Sequence, residues 1–250
     1  MKQYFNLTRF GRLLRKHTVE HFKSYTLGAG VLLGGVLAVM GFLAYVQGGL
    51  SHGQHAILFV LFLLASGTFF TTTVLAEFGV GSRAALALML PASQLEKFLV
   101  AWLFSLPIFF AVFIADFYLV DWVVISLSRE ADAVTDVFTA DVLGSVLITY
   151  LILHGIALWG SIMFRQQQFI RTAFLLFAVA VVLSLLNYQV LKAVIGPEMR
   201  MTLPFANVNL NNGPSVSLLE AQSQQLLLPL LALIPLLWAA AYARLTEKQI

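Results

Sequence analysis

Few residues within the apolar stretches of this chain have side chains capable of chemistry. Asp116 lies near the outer end of one stretch, where it could bind a cation or a proton, pair with a neighbouring helix, or reach water. His154 lies in the middle of another, where the alternatives are an interhelical hydrogen bond and a proton relay. Thr68, Thr71 and Thr72 either line a translocation path or bond to carbonyl groups of their own helix. One alternative in each group would place the residues in a transport pathway.

Sequence motifs for catalysis and for nucleotide binding are absent. The chain has no G-x-x-x-x-G-K-[ST] phosphate-binding loop and no H-E-x-x-H metal motif. Its five histidines are scattered, and His52 and His55 have no carboxylate near them in sequence. Cysteine is absent, which excludes disulfides and thiolate metal sites. We therefore expect no enzymatic activity, no metal and no cofactor in this chain.

The composition indicates an integral membrane protein. Of the 250 residues, 60% are hydrophobic and 11% are charged, and the mean hydropathy is +0.87. Soluble domains have about 25% charged residues. Six apolar stretches are each long enough to cross about 30 Å of hydrocarbon as a helix, the form that satisfies the backbone within lipid. The predicted fold is therefore all-α and polytopic, with transmembrane helices at about 25–46, 56–75, 98–120, 142–164, 172–191 and 226–243.

The distribution of basic residues predicts the orientation. With the N-terminus in the cytoplasm, twelve of the fifteen Lys and Arg residues fall on the cytoplasmic side, and only Arg129, Lys192 and Arg200 fall outside. The positive-inside rule therefore places both termini in the cytoplasm. The net charge of +3 is then explained by contacts with anionic membrane lipids, and we expect no nucleic-acid partner.

The segment before the first predicted span has an amphipathic pattern. Within residues 1–24, apolar side chains such as Phe10 and Leu13 alternate with basic ones such as Arg12 and Arg15. This pattern predicts a cytoplasmic interfacial helix whose basic face meets the headgroups, and a disordered basic tail is the alternative. The rest of the chain, residues 25–250, forms the six-helix domain.

Small residues and prolines inside the spans predict close helix packing and kinks. Gly30, Gly34 and Ala38 form a small-xxx-small ridge in the first span, which favours close approach to another helix either within the chain or in a dimer. Pro107 in the third span, and Pro229 and Pro235 in the sixth, should kink their helices because proline has no backbone donor.

The connection between the second and third spans carries the most specific local pattern. Residues 82–90 can form a short helix, which Pro91 would end. Ser93 and Glu96 then match an S-x-x-E capping box, in which each side chain accepts from the backbone amide of the other residue. The third span is therefore predicted to begin with a fixed cap at the cytoplasmic surface.

Residues 90–97, which read Leu-Pro-Ala-Ser-Gln-Leu-Glu-Lys, complete a resemblance to a known family. Together with six spans, cytoplasmic termini and an amphipathic helix before the first span, they resemble the permease subunits of ABC-2-type transporters. The resemblance implies that this connection docks on a separate ATP-binding cassette subunit, that a second permease subunit completes the transporter, and that export is its direction. It also implies a multi-pass protein of a bacterial-type inner membrane. The residues that it makes candidates for coupling are Arg12, Arg15, Arg83, Ser93, Glu96 and Lys97.

Two other functions fit the same sequence. A non-transporting membrane scaffold or assembly factor would keep the topology without needing residues 93–97 for coupling. An ion- or proton-coupled carrier would instead use Asp116 and His154.

Overall fold

The computed structural model describes residues 5–75, 92–127, 140–164, 166–195 and 220–247. These residues contain six helices that are long and apolar enough to cross a membrane, and no β-strand. The prediction of an all-α polytopic membrane protein is confirmed. Each predicted span agrees with one helix to within a residue or lies inside it. The six helices are α1 (Leu7–Gln47), α2 (His52–Val74), α3 (Gln94–Leu127), α4 (Ala140–Met163), α5 (Gln168–Ile195) and α6 (Glu220–Glu247).

Helix α1 is continuous over 41 residues, so the predicted boundary at residue 24 is not a helix end. Its N-cap is Asn6, whose side chain accepts from the amides of Thr8 and Arg9, and its C-cap is Gly48, which has a left-handed φ of 82°. Neither glycine nor proline occurs between positions 12 and 27, so nothing in the sequence interrupts the hydrogen-bond ladder there. The segment predicted to lie at the interface is therefore a direct extension of the first span.

The apolar face of this extension packs against protein. Phe10, Leu13 and Leu14 contact a buried cluster formed by α2, α3, α4 and α6. On the opposite face Arg12 and Arg15 are exposed. The amphipathic pattern thus divides a protein-facing side from a basic outer side, which leaves the basic side available to lipid or to a partner.

Helix α3 contains a π-helical segment in its inner half. The chain is α-helical from Gln94 to Leu103, π-helical from Phe104 to Ile108, and α-helical again from Phe109 to Leu127. Pro107 lies inside the π segment, because its missing N–H and its ring are incompatible with a regular i to i−4 ladder. The irregularity predicted at Pro107 is present in this form, whereas Pro229 and Pro235 lie inside a continuous α6.

Helix α4 packs closely against three other helices. At two of these contacts the residue of α4 is a glycine. A Cβ at Gly155 would lie 2.8 Å from Leu237 of α6, and one at Gly160 would overlap Thr172 of α5. On α2, a Cβ at Gly67 would lie 2.5 Å from the ring of Tyr150 in α4. By contrast, a Cβ at the two glycines of the packing ridge predicted on α1, Gly30 and Gly34, would meet no atom of the described chain within 4 Å.

Candidate functional site

A buried carboxylate joins the cytoplasmic ends of α1 and α3. Glu96, in the first turn of α3, is 0% exposed. Its oxygens accept hydrogen bonds from the Arg9 guanidinium at 2.8 and 2.9 Å, from the Asn6 amide at 2.8 Å and from the Ser93 amide at 2.9 Å. We call these four residues, Asn6, Arg9, Ser93 and Glu96, the cytoplasmic clamp.

The clamp is built from the two helix starts themselves. The predicted capping box is confirmed, because Ser93 Oγ accepts from the Glu96 amide at 3.2 Å while Glu96 accepts from the Ser93 amide. Asn6 is the N-cap of α1, and its own amide reaches the same carboxylate. The partial positive charges of both helix N-termini therefore favour the ionised form of Glu96.

The titration of Glu96 reflects this environment. Burial alone raises the pKa of Glu96, but the hydrogen bonds from Arg9 and from the two backbone amides outweigh it and lower the pKa from 4.5 to about 2. Burial lowers the pKa of the adjacent Lys97, and the negative charge of Glu96 partly opposes this change. Glu96 is therefore a carboxylate throughout the physiological pH range.

The coupling residues predicted on α3 are mostly withdrawn from the surface. Ser93 is half-buried at the cap, Glu96 is fully buried and Lys97 is 4% exposed. Because a docking surface needs accessible side chains, Glu96 and Lys97 are placed to hold the fold at this end, and any part they play in coupling would be indirect. Their role in coupling stays a prediction.

The coupling residues predicted on α1 are accessible. Arg12 and Arg15 are both exposed on its basic face. Arg83 lies outside the described residues. The clamp thus places two exposed arginines one to two turns beyond Arg9, on a helix end that is fixed to α3.

A second polar cluster lies in the middle of the bundle and connects α3, α4 and α6. His154 is fully buried; the Trp238 indole lies 3.2 Å from its Nδ1, and Ser105 Oγ lies 2.9 Å from its Nε2. Because an indole N–H can only donate, Nδ1 must accept, so the neutral ring carries its proton on Nε2 and donates to Ser105. Ser105 in turn donates to the carbonyl of Trp102 at 3.3 Å. Both ring nitrogens of His154 are therefore hydrogen-bonded to side chains of other helices. This is the interhelical hydrogen bonding that was the alternative to a proton relay.

The π segment explains why Ser105 is available to this central network. In an α-helix the Phe109 amide would bond to the Ser105 carbonyl, but here it is shared between the Leu106 and Phe104 carbonyls instead. The Tyr150 hydroxyl donates to the Ser105 carbonyl at 3.3 Å and so satisfies the group that the π segment releases. The central network therefore compensates the irregularity that Pro107 introduces.

The hydroxyl groups of α2 bond within their own helix. Thr68 donates to the carbonyl of Leu64, Thr71 to that of Gly67 at 2.7 Å, and Thr72 to that of Phe69 at 2.7 Å. These are the local bonds that we gave as the alternative to a translocation path. A path-lining role for these threonines stays a prediction. Their hydroxyl protons already take part in hydrogen bonds within α2.

Two acids occupy different settings near the outer end of α3. Asp121 is buried, and its Oδ1 lies 2.6 Å from Nδ1 of the buried His55 in the first turns of α2. The two atoms are close enough for an ion pair but are not aligned as a hydrogen bond. Asp116 is half-buried, and its Oδ2 has no hydrogen-bond partner within the described residues. The described residues also contain no group of three or more His, Asp or Glu that could hold a metal ion.

Sequence reasoning did not find the partners in these clusters. The sequence identified Glu96 and His154 as polar residues of interest, but Arg9 and Ser105 had no local signal because each contact joins distant parts of the chain. The pairing of His55 was missed because its carboxylate lies on another helix. No known protein family, no curated protein and no solved structure matches the chain.

Proposed function

We propose that this chain is the permease subunit of an ABC-type exporter in a bacterial-type inner membrane. A separate ATP-binding cassette subunit supplies the energy, and a second permease subunit completes the pathway. The observation that carries the proposal is the cytoplasmic clamp, because it fixes the basic start of α1 to the start of α3. That start belongs to residues 77–97, the connection that the family resemblance assigns to ATPase docking.

The clamp would transmit movement between these helices. A displacement of the connection acts first on Ser93 and Glu96. Separating Glu96 from Arg9 would leave a buried charge without its partner, which is strongly unfavourable. The start of α1 therefore moves together with that of α3, and the two helices respond as one unit to closure of the ATPase.

Within this proposal the clamp residues and the exposed arginines have different roles. Glu96 is a positioning residue, since no part of it reaches the surface. Arg12 and Arg15 are the docking candidates, since both are exposed on the same helix end. Docking and transmission can therefore be tested with separate variants.

The first experiment tests docking. The tagged chain is purified from membranes of its own host in mild detergent, and the ATP-binding cassette protein that accompanies it is identified and quantified. We expect the double variant Arg12→Gln and Arg15→Gln to lose most of this partner. The matched control is Lys16→Gln with Lys23→Gln, which removes the same charge from exposed positions of the same helix. An equal loss in both variants would mean that total charge decides the association, and wild-type chain purified without any ATP-binding cassette protein would overturn the proposal.

The second experiment separates a transporter from a scaffold. The scaffold alternative has one observation in its favour, because a buried carboxylate bonded to both helix starts also suits a static joint. If the chain is a transporter, its complex hydrolyses ATP in reconstituted vesicles. The Glu96→Gln variant then lowers the rate of hydrolysis while the partner remains bound. A complex whose ATP consumption is the same with and without this chain would favour the scaffold. The carrier alternative has less support, since both ring nitrogens of His154 are already bonded.

A further inference from the structure

Helix α5 carries an apolar groove on its outer surface. The groove has a volume of about 650 Å³ and begins at Phe164, just after the end of α4. It continues along α5 past Leu175, Ala178 and Leu183. Its walls are aliphatic and aromatic except for one charged residue, Arg171. The groove is thus apolar along its length and cationic at one end.

The length of the groove matches one leaflet of a bilayer. From Arg171 to Leu183 the helix rises by about 18 Å at 1.5 Å per residue, and half of a hydrocarbon core of about 30 Å is about 15 Å. Arg171 lies in the first turn of α5, on the side that the basic residues place in the cytoplasm. The groove therefore runs from the cytoplasmic headgroup level to about the middle of the membrane.

The charge at the cytoplasmic end is not neutralised within the described chain. Arg171 is exposed, and no carboxylate among the described residues forms an ion pair with it. Arg171 belongs to the first turn of α5, and the helix start adds partial positive charge at this end. A guanidinium in this position can bind a phosphate through two parallel hydrogen bonds.

We infer that this groove binds an anionic phospholipid of the cytoplasmic leaflet. One acyl chain lies along α5 against Leu175 and Ala178, and the phosphate binds to Arg171. The site differs from a general lipid-facing surface because it combines a concave apolar channel with one cation at its end, as a phospholipid combines an acyl chain with a headgroup. It does not depend on the transport function proposed above.

The test measures lipid binding by native mass spectrometry of the purified full chain. The probes are phosphatidylglycerol and phosphatidylcholine with identical acyl chains, titrated into delipidated protein. The wild-type chain binds phosphatidylglycerol about fivefold more tightly, the factor expected for one additional cation facing an anionic headgroup. Arg171→Gln removes this preference, whereas Lys192→Gln, at the exposed far end of the same helix, keeps it.

A second pair of variants tests the acyl-chain part of the site. Ala178→Phe fills the groove and weakens binding of both lipids, while Ala180→Phe, the same change at an exposed position outside the groove, does not. Equal affinity of the wild-type chain for the two lipids would overturn the inference. So would an Arg171→Gln variant that behaves like Lys192→Gln. A change of oligomeric state in Ala178→Phe with unchanged lipid binding would assign the groove to a second copy of this chain instead.

Discussion

Replacing Glu96 by glutamine should destabilise the chain although the side chain keeps its size. The carboxylate now accepts from Arg9 and from the amides of Asn6 and Ser93. A glutamine offers one acceptor oxygen, and its amino group would face the donors on the other side. Arg9 is 30% exposed and can regain water, so we assign the loss to one backbone amide that no longer has an anionic acceptor. A hydrogen bond to a charged group contributes about 2 kcal/mol.

The assay is thermal unfolding of the purified chain in detergent, followed by tryptophan fluorescence. For a chain of this size, about 2 kcal/mol corresponds to a fall of about 4–8 °C in the unfolding midpoint. The matched control is Glu20→Gln, the same substitution at a carboxylate that is 54% exposed and pairs with Lys16 at 3.5 Å. An exposed pair of this kind contributes about 0.3–0.5 kcal/mol, so the control should shift the midpoint by about 1–2 °C.

The pH dependence provides an independent arm of the same test. The pKa of Glu96 is lower in the folded chain, at about 2, than the ordinary value of 4.5 that it has when unfolded. Its stabilising contribution is therefore complete above pH 4.5 and is lost as the pH falls from 4.5 towards 2. The difference in midpoint between wild type and Glu96→Gln should shrink over that range. A difference that stays constant from pH 7 to pH 3, or a Glu96→Gln midpoint equal to that of Glu20→Gln, would refute the reasoning.

Two further substitutions test the packing of α4 and the central network by the same unfolding assay. Gly160→Ala should cost about 1–3 kcal/mol because its methyl group must push α5 away, whereas Gly34→Ala meets no atom and should be neutral or stabilising by up to about 1 kcal/mol. Equal midpoints for these two variants would contradict the close contact. Ser105→Ala should cost about 1–3 kcal/mol because it leaves the Nε2 proton of His154 buried without an acceptor. Ser126→Ala removes an exposed hydroxyl bonded within its own helix and should change stability by less than about 0.5 kcal/mol, and an equal cost for the two serines would contradict the network.

The features that the sequence predicted are those that depend on neighbouring residues in the chain. The six spans follow from runs of apolar residues, and lipid allows such runs few structures other than a helix. The capping box at Ser93 and Glu96 joins residues three apart, so its geometry is contained in the local backbone. The position of Pro107 predicted an irregular α3 for the same local reason.

The features that the sequence did not predict depend on how helices are rotated against one another. Arg9 and Glu96 are 87 positions apart, and the sequence contains several basic residues on α1 that could have taken that place. Ser105 lies inside the π segment, and its contact with His154 joins residues 49 positions apart on different helices. The continuity of α1 through residue 24 was likewise not predicted, since the amphipathic pattern reports which face is polar and not where a helix ends.

The three polar clusters have one helix in common. Helix α3 supplies Glu96 at the cytoplasmic end, Ser105 in the middle and Asp121 near the outer end, and their partners lie on α1, α4 and α2 respectively. A movement of α3 along or about its axis must therefore carry these helices with it or break a buried polar contact at that level. The π segment, Phe104–Ile108, contains Ser105 and separates Glu96 from Asp121, so bending there would let the cytoplasmic half move while the outer contact holds. If α3 transmits a signal from the cytoplasm, the residues that determine how far it travels are those of the central network rather than those of the clamp.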